Sequence, residues 1–119
     1  MNIARLKDIS IGSTISNRKT CVCEAIHLGE IVGSAVVMMD HNSKRAASLI
    51  HFQTDPEYRH IGIGKNMLDV VVGWSRARAR LLHGYIAENK LVGDTLPHIT
   101  HYLGEYGFQI DGIFFSMNL

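Results

Sequence analysis

Apolar and polar positions alternate in short runs through residues 19–54, and from residue 63 the period lengthens to three and four. "KTCVCEAIHL" alternates as a half-buried strand does, and "GE" makes a two-residue turn into the β-branched run "IVGSAVVMMD". "HNSKR" turns the chain into a further strand, "AASLIHFQT". Connections this short predict an antiparallel meander, because parallel strands need a long crossover. Nearer the start, "NIARLKDI" reads as a first strand and polar "SIGSTISN" as a loop.

After Gly64, Ile63, Met67, Val70, Val71, Trp74, Ala77 and Leu81 form one apolar helical stripe. "LLHGYIAE" is the next strand and "NKLVGDTL" a loop. Pro97 suits the first turn of a short helix, "PHITHYLGEY", which Gly107 ends as a left-handed cap. "FQID", the turn Asp111-Gly112 and "IFFSMNL" predict a closing hairpin. The order is β, β-β-β, α, β, α, β-β. That is an α+β fold whose long helix joins two strands free to lie parallel.

The length of 119 residues predicts a single domain, residues 1–119. Residues are 46% hydrophobic and 19% charged, and the net charge of +1 gives no field that would gather nucleic acid. No apolar run reaches about 18 residues, and "MNIARLKDIS" lacks the apolar segment of a leader, so the expectation is a cytoplasmic protein without a membrane partner. Cys21 and Cys23 share one strand face at a spacing poor for a disulfide, and read as buried thiols. His98 and His101 stand three apart on the short helix without a third ligand, so no metal is expected. "RARAR", Arg76 to Arg80, reads as a solvated helix end with Arg78 pointing away from the other two.

One stretch asks for more than a fold. "TDPEYRHIGIGKNML" sets Gly62 and Gly64 at the mouth of the long helix, where each glycine lowers helix stability. A helix start offers unpaired N–H groups and partial positive charge, and glycines let a phosphate approach the bare backbone. The spacing fits neither a Walker A loop nor the Rossmann G-x-G-x-x-G, since Met67 stands where a third glycine belongs.

Strand, "RHIGIG" and amphipathic helix together resemble the acetyl-CoA-binding motif of the GNAT acetyltransferase superfamily, Q/R-x-x-G-x-G/A. Arg59, Gly62 and Gly64 match it, Asn89 stands after the next strand, and "YGFQIDG" resembles the family's ending. The resemblance implies a mixed, mostly antiparallel sheet splayed between the strands before and after the long helix. It also implies acetyl-CoA as co-substrate and transfer of acetyl to a primary amine by direct attack. The backbone of Phe52 to Thr54 would pair with the pantetheine arm. Arg59, Ile61, Gly62, Ile63, Gly64 and Lys65 would hold the phosphates, with Asn89 also on the cofactor.

Three departures from the family shape the rest. Members carry two helices between their first two strands, and here about a dozen residues separate those predicted strands. The family's acidic tyrosine falls at Leu103, which turns attention to its neighbour Tyr102, with Tyr106 further on. Positions of the family's carboxylate bases fall at Ser48 and Gly84, leaving His51, His83 and Glu88 nearby. Histidine has the right ordinary pKa to deprotonate an ammonium near neutrality. Tyr102 as acid and His83 as base are the catalytic expectations. The alternative is a GNAT-like module that binds an acyl-CoA or a protein without chemistry. A sheet face without its helices predicts a homodimer.

Overall fold

Alternation sorts the side chains of the meander onto two faces. The computed structural model describes residues 5–43, 45–86 and 96–119, the last with side chains from residue 99. In β2 (Thr20–His27) the buried side chains are Cys21, Cys23 and Ala25; in β3 (Glu30–Met39) they include Val32, Ala35 and Val37; in β4 (Ala46–Thr54), Ala47 and Leu49. These are small groups, and they let α1 (Ile63–Arg76) lie close on that face through Ile63, Met67, Leu68, Val71, Val72 and Trp74. Gly33 belongs to the same fit: a Cβ there would stand 3.1 Å from Met67 Cε. Both thiols are free and buried, and burial pushes the Cys23 thiol up to about 11.

Seven strands form one sheet in the order β1-β2-β3-β4-β5-β7-β6. The others are β1 (Ser10–Ser16), β5 (Leu81–Tyr85), β6 (Gln109–Asp111) and β7 (Phe114–Asn118). Every neighbouring pair is antiparallel except β4 with β5, which α1 joins as a crossover. The second helix, α2 (Leu96–Tyr106), packs beside α1 on the same face, and Tyr106 Oη donates to Asp69 Oδ1 at 2.7 Å. Its end is closed as expected at Gly107, φ 129°: the amide of Phe108 bonds to the Leu103 carbonyl at 3.0 Å and that of Gly107 to Gly104 at 3.1 Å.

Four expectations are corrected. The closing turn is Gly112-Ile113 and not Asp111-Gly112, because Asp111 still pairs with Phe114. Residues 6–8 make a single 3-10 turn, and the first strand is Ser10–Ser16, inside the expected loop. It is an edge strand with solvent-facing serines, so it carries little of the hydrophobic signal of a buried strand. The following turn lies at Leu28-Gly29, one residue earlier than predicted, with both φ values positive (52° and 80°). Pairing of His27 with Glu30 imposes that two-residue turn, and Leu28 tolerates it while 87% exposed. Finally, α1 stops at Arg76 and Leu81 opens β5. Past the helix the chain turns, so Arg78 comes back onto it: its guanidinium donates to the Trp74 carbonyl at 3.0 Å and lies 4.5 Å from the Trp74 ring centre.

Only Asn17, Arg18 and Lys19 lie between β1 and β2, so no helix stands there. Among the described residues nothing covers the second sheet face. No described helix is long and apolar enough to cross a membrane.

Gly84 shows how tightly the covered face is filled. A Cβ there would run into the Phe115 ring and stand 2.9 Å from the Leu49 carbonyl oxygen. Gly84→Ala is expected to cost about 1–3 kcal/mol through overpacking. Urea unfolding checks this, and an unchanged midpoint would mean that β5 yields freely.

Candidate active site

The parallel pair is short. Ala46, Ala47 and Ser48 face Leu81, Leu82 and His83, and there the pairing ends. β4 nevertheless continues to Thr54, still paired with β3. One cause is visible in the register. Val36 faces His51 and Val37 faces Leu49, so Ile50 is an extra residue that bends β4. Beyond Ser48 no described strand pairs with the other edge of β4. Phe52, Gln53 and Thr54 therefore border an opening in the sheet.

The loop after β4 leads straight from this opening into α1. Pro56–Tyr58 make a 3-10 turn, Arg59 Nε approaches the Thr54 carbonyl at 3.4 Å, and His60 and Gly62 take positive φ values of 68° and 101°. Such turns of sign draw successive amides together into an anion-accepting hollow. Gly62 is the residue preceding the helix, in a conformation that favours glycine. Ile61 packs on the core and Ile63 is buried, which anchors the loop by its side chains. Among the described residues no side chain accepts from the amides of Ile63, Gly64 or Lys65; the first helical bond runs from Asn66 N–H to the Gly62 carbonyl at 3.2 Å. Lys65 pairs with Asp69 on the exposed side of α1, 3.1 Å away.

Tyr102 meets this helix start. A Cβ on Gly64 would stand 2.7 Å from Tyr102 Oη and 3.1 Å from Phe52 Cζ. The Phe52 and Tyr102 rings stack at 6.1 Å between centres. The two glycines thus have separate causes, which the motif alone does not reveal: Gly62 bends the backbone and Gly64 makes room for a phenol. Burial raises the Tyr102 pKa and the Asp69 charge adds to it, so the hydroxyl keeps its proton. Leu103 is wholly buried in the core. Tyr106 is tied to Asp69, which leaves Tyr102 as the α2 tyrosine beside the opening.

The helix-free face carries a different set. Ser48 and His83 form the last rung of the parallel pair, and both side chains meet Asp40 just after β3. Asp40 Oδ2 lies 2.8 Å from His83 Nε2, Ser48 Oγ donates to Asp40 Oδ1 at 2.6 Å, and Ser48 Oγ stands 3.3 Å from His83 Nε2. Burial works to raise the Asp40 pKa, but bonds from Ser48 and His83 outweigh it and hold the carboxyl below its ordinary value. His51 Nε2 shares a bond with Ser34 Oγ at 2.8 Å. Gly84 faces the opposite way, into Phe115, so a side chain has no room there.

Sequence reasoning missed Asp40. Its only trace was an acidic residue closing the strand that precedes the one bearing Ser48, and proximity follows from the register of Met38 with Ser48. Asn89 and Glu88 lie outside the described residues, as does the side chain of His98; His101 faces Glu105 at 3.7 Å on the surface.

Fold and site define an α+β domain in which an opened sheet adjoins an anion-accepting helix start. Residues 5–91 match the sequence profile of the Acetyltransferase (GNAT) family, and the chain belongs to that family of acyl-transferring enzymes. A GNAT family acetyltransferase from Elizabethkingia anophelis, with acetyl-CoA bound, aligns over 94% of this chain and 99% of that one, with TM-score 0.72 and 13% identity. A putative streptothricin acetyltransferase from Bacillus anthracis, in complex with acetyl coenzyme A, aligns over 88% of this chain and 66% of its own, with TM-score 0.70 and 15% identity. Ard1 from Thermoplasma volcanium aligns over 82% and 70%, with TM-score 0.68 and 17% identity. Likenesses at such identities speak for the fold. No curated protein matches the chain in sequence.

The Tyr106–Asp69 bond ties α2 to α1 and gives a pH-dependent expectation. That bond is the main cause lowering the Asp69 pKa. A carboxyl lowered on folding contributes stability above its unfolded pKa, about 4, and loses it as pH falls through the folded value. Tyr106→Phe should therefore be less stable than the parent at pH 7, with the gap closing under acid. Urea midpoints across pH check this; a gap that persists undiminished in acid would assign the effect to packing.

Proposed function

We propose that this chain transfers the acetyl group of acetyl-CoA to a primary amine by direct attack. The observation that carries the proposal is the end of β4–β5 pairing at Ser48 and His83, beside a helix start whose amides have no side-chain acceptor among the described residues. The pyrophosphate binds at the amides of Ile61 to Lys65, with Arg59 and Lys65 adding charge. The pantetheine arm pairs with the backbone of Phe52 to Thr54, as a strand would. An N–H near Phe52 or Thr54 receives the oxyanion. The amine forms its C–N bond, the C–S bond breaks, Tyr102 Oη protonates the departing sulfur, and His83 takes a proton from the nitrogen. Two of the similar structures, from E. anophelis and B. anthracis, hold acetyl-CoA, which supports the choice of co-substrate.

A non-catalytic module was suggested by Leu103 and Gly84. Leu103 is buried in the core and Gly84 is fitted against Phe115, which favours Tyr102 and His83 as the groups that carry the chemistry.

The test is thiol release from acetyl-CoA with a panel of primary amines. Amine-dependent release is expected, and Tyr102→Phe should lower kcat about 10²-fold or more with little change in KM for acetyl-CoA. Gly62→Val should lose acetyl-CoA binding and, because φ 101° strains any side chain, should also lower the urea midpoint, so binding is compared where circular dichroism shows the variant folded. Binding without release for any amine would leave only an acyl-CoA-binding module.

The same reading includes a cytoplasmic homodimer that covers part of the helix-free face, at Ile15 and Phe114, 50% and 49% exposed, and leaves His83 open. Light scattering at micromolar concentration should give twice the chain mass, and a clean monomer would remove the dimer.

A further inference from the structure

Histidines stand at two places on the helix-free face, and their partners differ in kind. The Ser34 hydroxyl facing His51 can donate or accept, so it leaves His51 free to carry its proton on either nitrogen. A carboxylate can only accept, so the 2.8 Å contact with Asp40 requires that His83 Nε2 bear hydrogen. Ser48 has already given its one proton to Asp40 Oδ1 at 2.6 Å. At 3.3 Å from Nε2 its oxygen can only share that same N–H.

We infer that Asp40 is a positioning residue of the transfer reaction, holding His83 with a bare Nδ1 that takes the proton of the attacking amine. The inference rests on the acetyl-transfer reading of the same opening. His83 stands on the last rung before the parallel strands part, and its side chain is 34% exposed, so an incoming amine has access to it. Among the described residues Nδ1 has no hydrogen-bond partner. When Nδ1 takes the proton, Asp40 faces the resulting imidazolium at 2.8 Å. Proton balance is simple: one leaves the amine for Nδ1, one leaves Tyr102 for sulfur, and solvent restores both groups.

The trio Asp40, His83 and Ser48 has the membership of a nucleophile triad but not its geometry. In such a triad the two imidazole nitrogens face different partners. Here the one nitrogen faces both, and the serine proton points at the carboxylate. Ser48 is thus unactivated, in keeping with direct attack and no acyl-serine.

The experiment combines a spectroscopic signature with kinetics on the full chain. Long-range nitrogen–proton correlation at alkaline pH, with His83→Gln for assignment, should show hydrogen on Nε2 of His83. In Asp40→Asn, whose amide can also donate, that pattern should become mixed or inverted. The same variant should lose about tenfold or more in kcat for amine-dependent thiol release, with KM for acetyl-CoA unchanged. Asp40→Glu should restore most of the rate, and Ser48→Ala should keep both the pattern and most of the rate. Hydrogen on Nδ1 in the parent overturns the inference without any variant having to fold. If the parent turns over an amine and Asp40→Asn equals it, the inference fails alone. If the parent turns over no amine, the acetyl-transfer reading fails and takes the inference with it.

Discussion

The structure depends on the fact that, among the described residues, β4 is paired with β3 along its length on one side and with β5 only at its beginning on the other. Three rungs join it to β5, and then Ile50 bends it away. A sheet strand normally satisfies both rows of backbone groups by pairing. Among the described residues the row at Phe52 to Thr54 meets no strand on this side, and it suits something that can itself behave as a strand. The crossover geometry then brings the start of α1 to the same end of β4, because the loop from Asp55 to Gly62 is short. The strand edge at Phe52 to Thr54 and the first amides of α1 therefore come together as a consequence of connectivity.

The opening also divides proton chemistry between two faces. Tyr102 reaches it from the covered side, where burial keeps its hydroxyl protonated. His83 and Asp40 stand on the uncovered side, within reach of solvent. An acid for a departing sulfur gains from a dry setting, while a base for an incoming amine needs an entrance.

Most of the fold was legible because its period is local. Alternation marked β2, β3 and β4, with β4 at the observed bounds, and the long helix announced itself by its apolar stripe. The failures came where local pattern is silent. Ser10–Ser16 is an edge strand whose polarity is that of a loop, and the helix stripe ran past Arg76 because Leu81, in β5, happened to continue the spacing. Near the opening, Tyr102 does stand beside the helix start, and the bend at Gly62 was readable from the motif. Asp40 was not, because it meets His83 across 43 residues and only the strand register makes them neighbours.

Gly62 and Gly64 show why a short motif can be right for more than one reason. Gly62 is held at φ 101°, so a side chain there is strained whether or not a phosphate ever arrives. Gly64 sits in an ordinary helix, where glycine is a loss unless something needs the space. What needs it is Tyr102 Oη, with Phe52 beside it. The same absent Cβ lets the phenol approach the helix start, so the proposed seat for the phosphates and the proposed acid both depend on one residue. A larger group at 64 would disturb both.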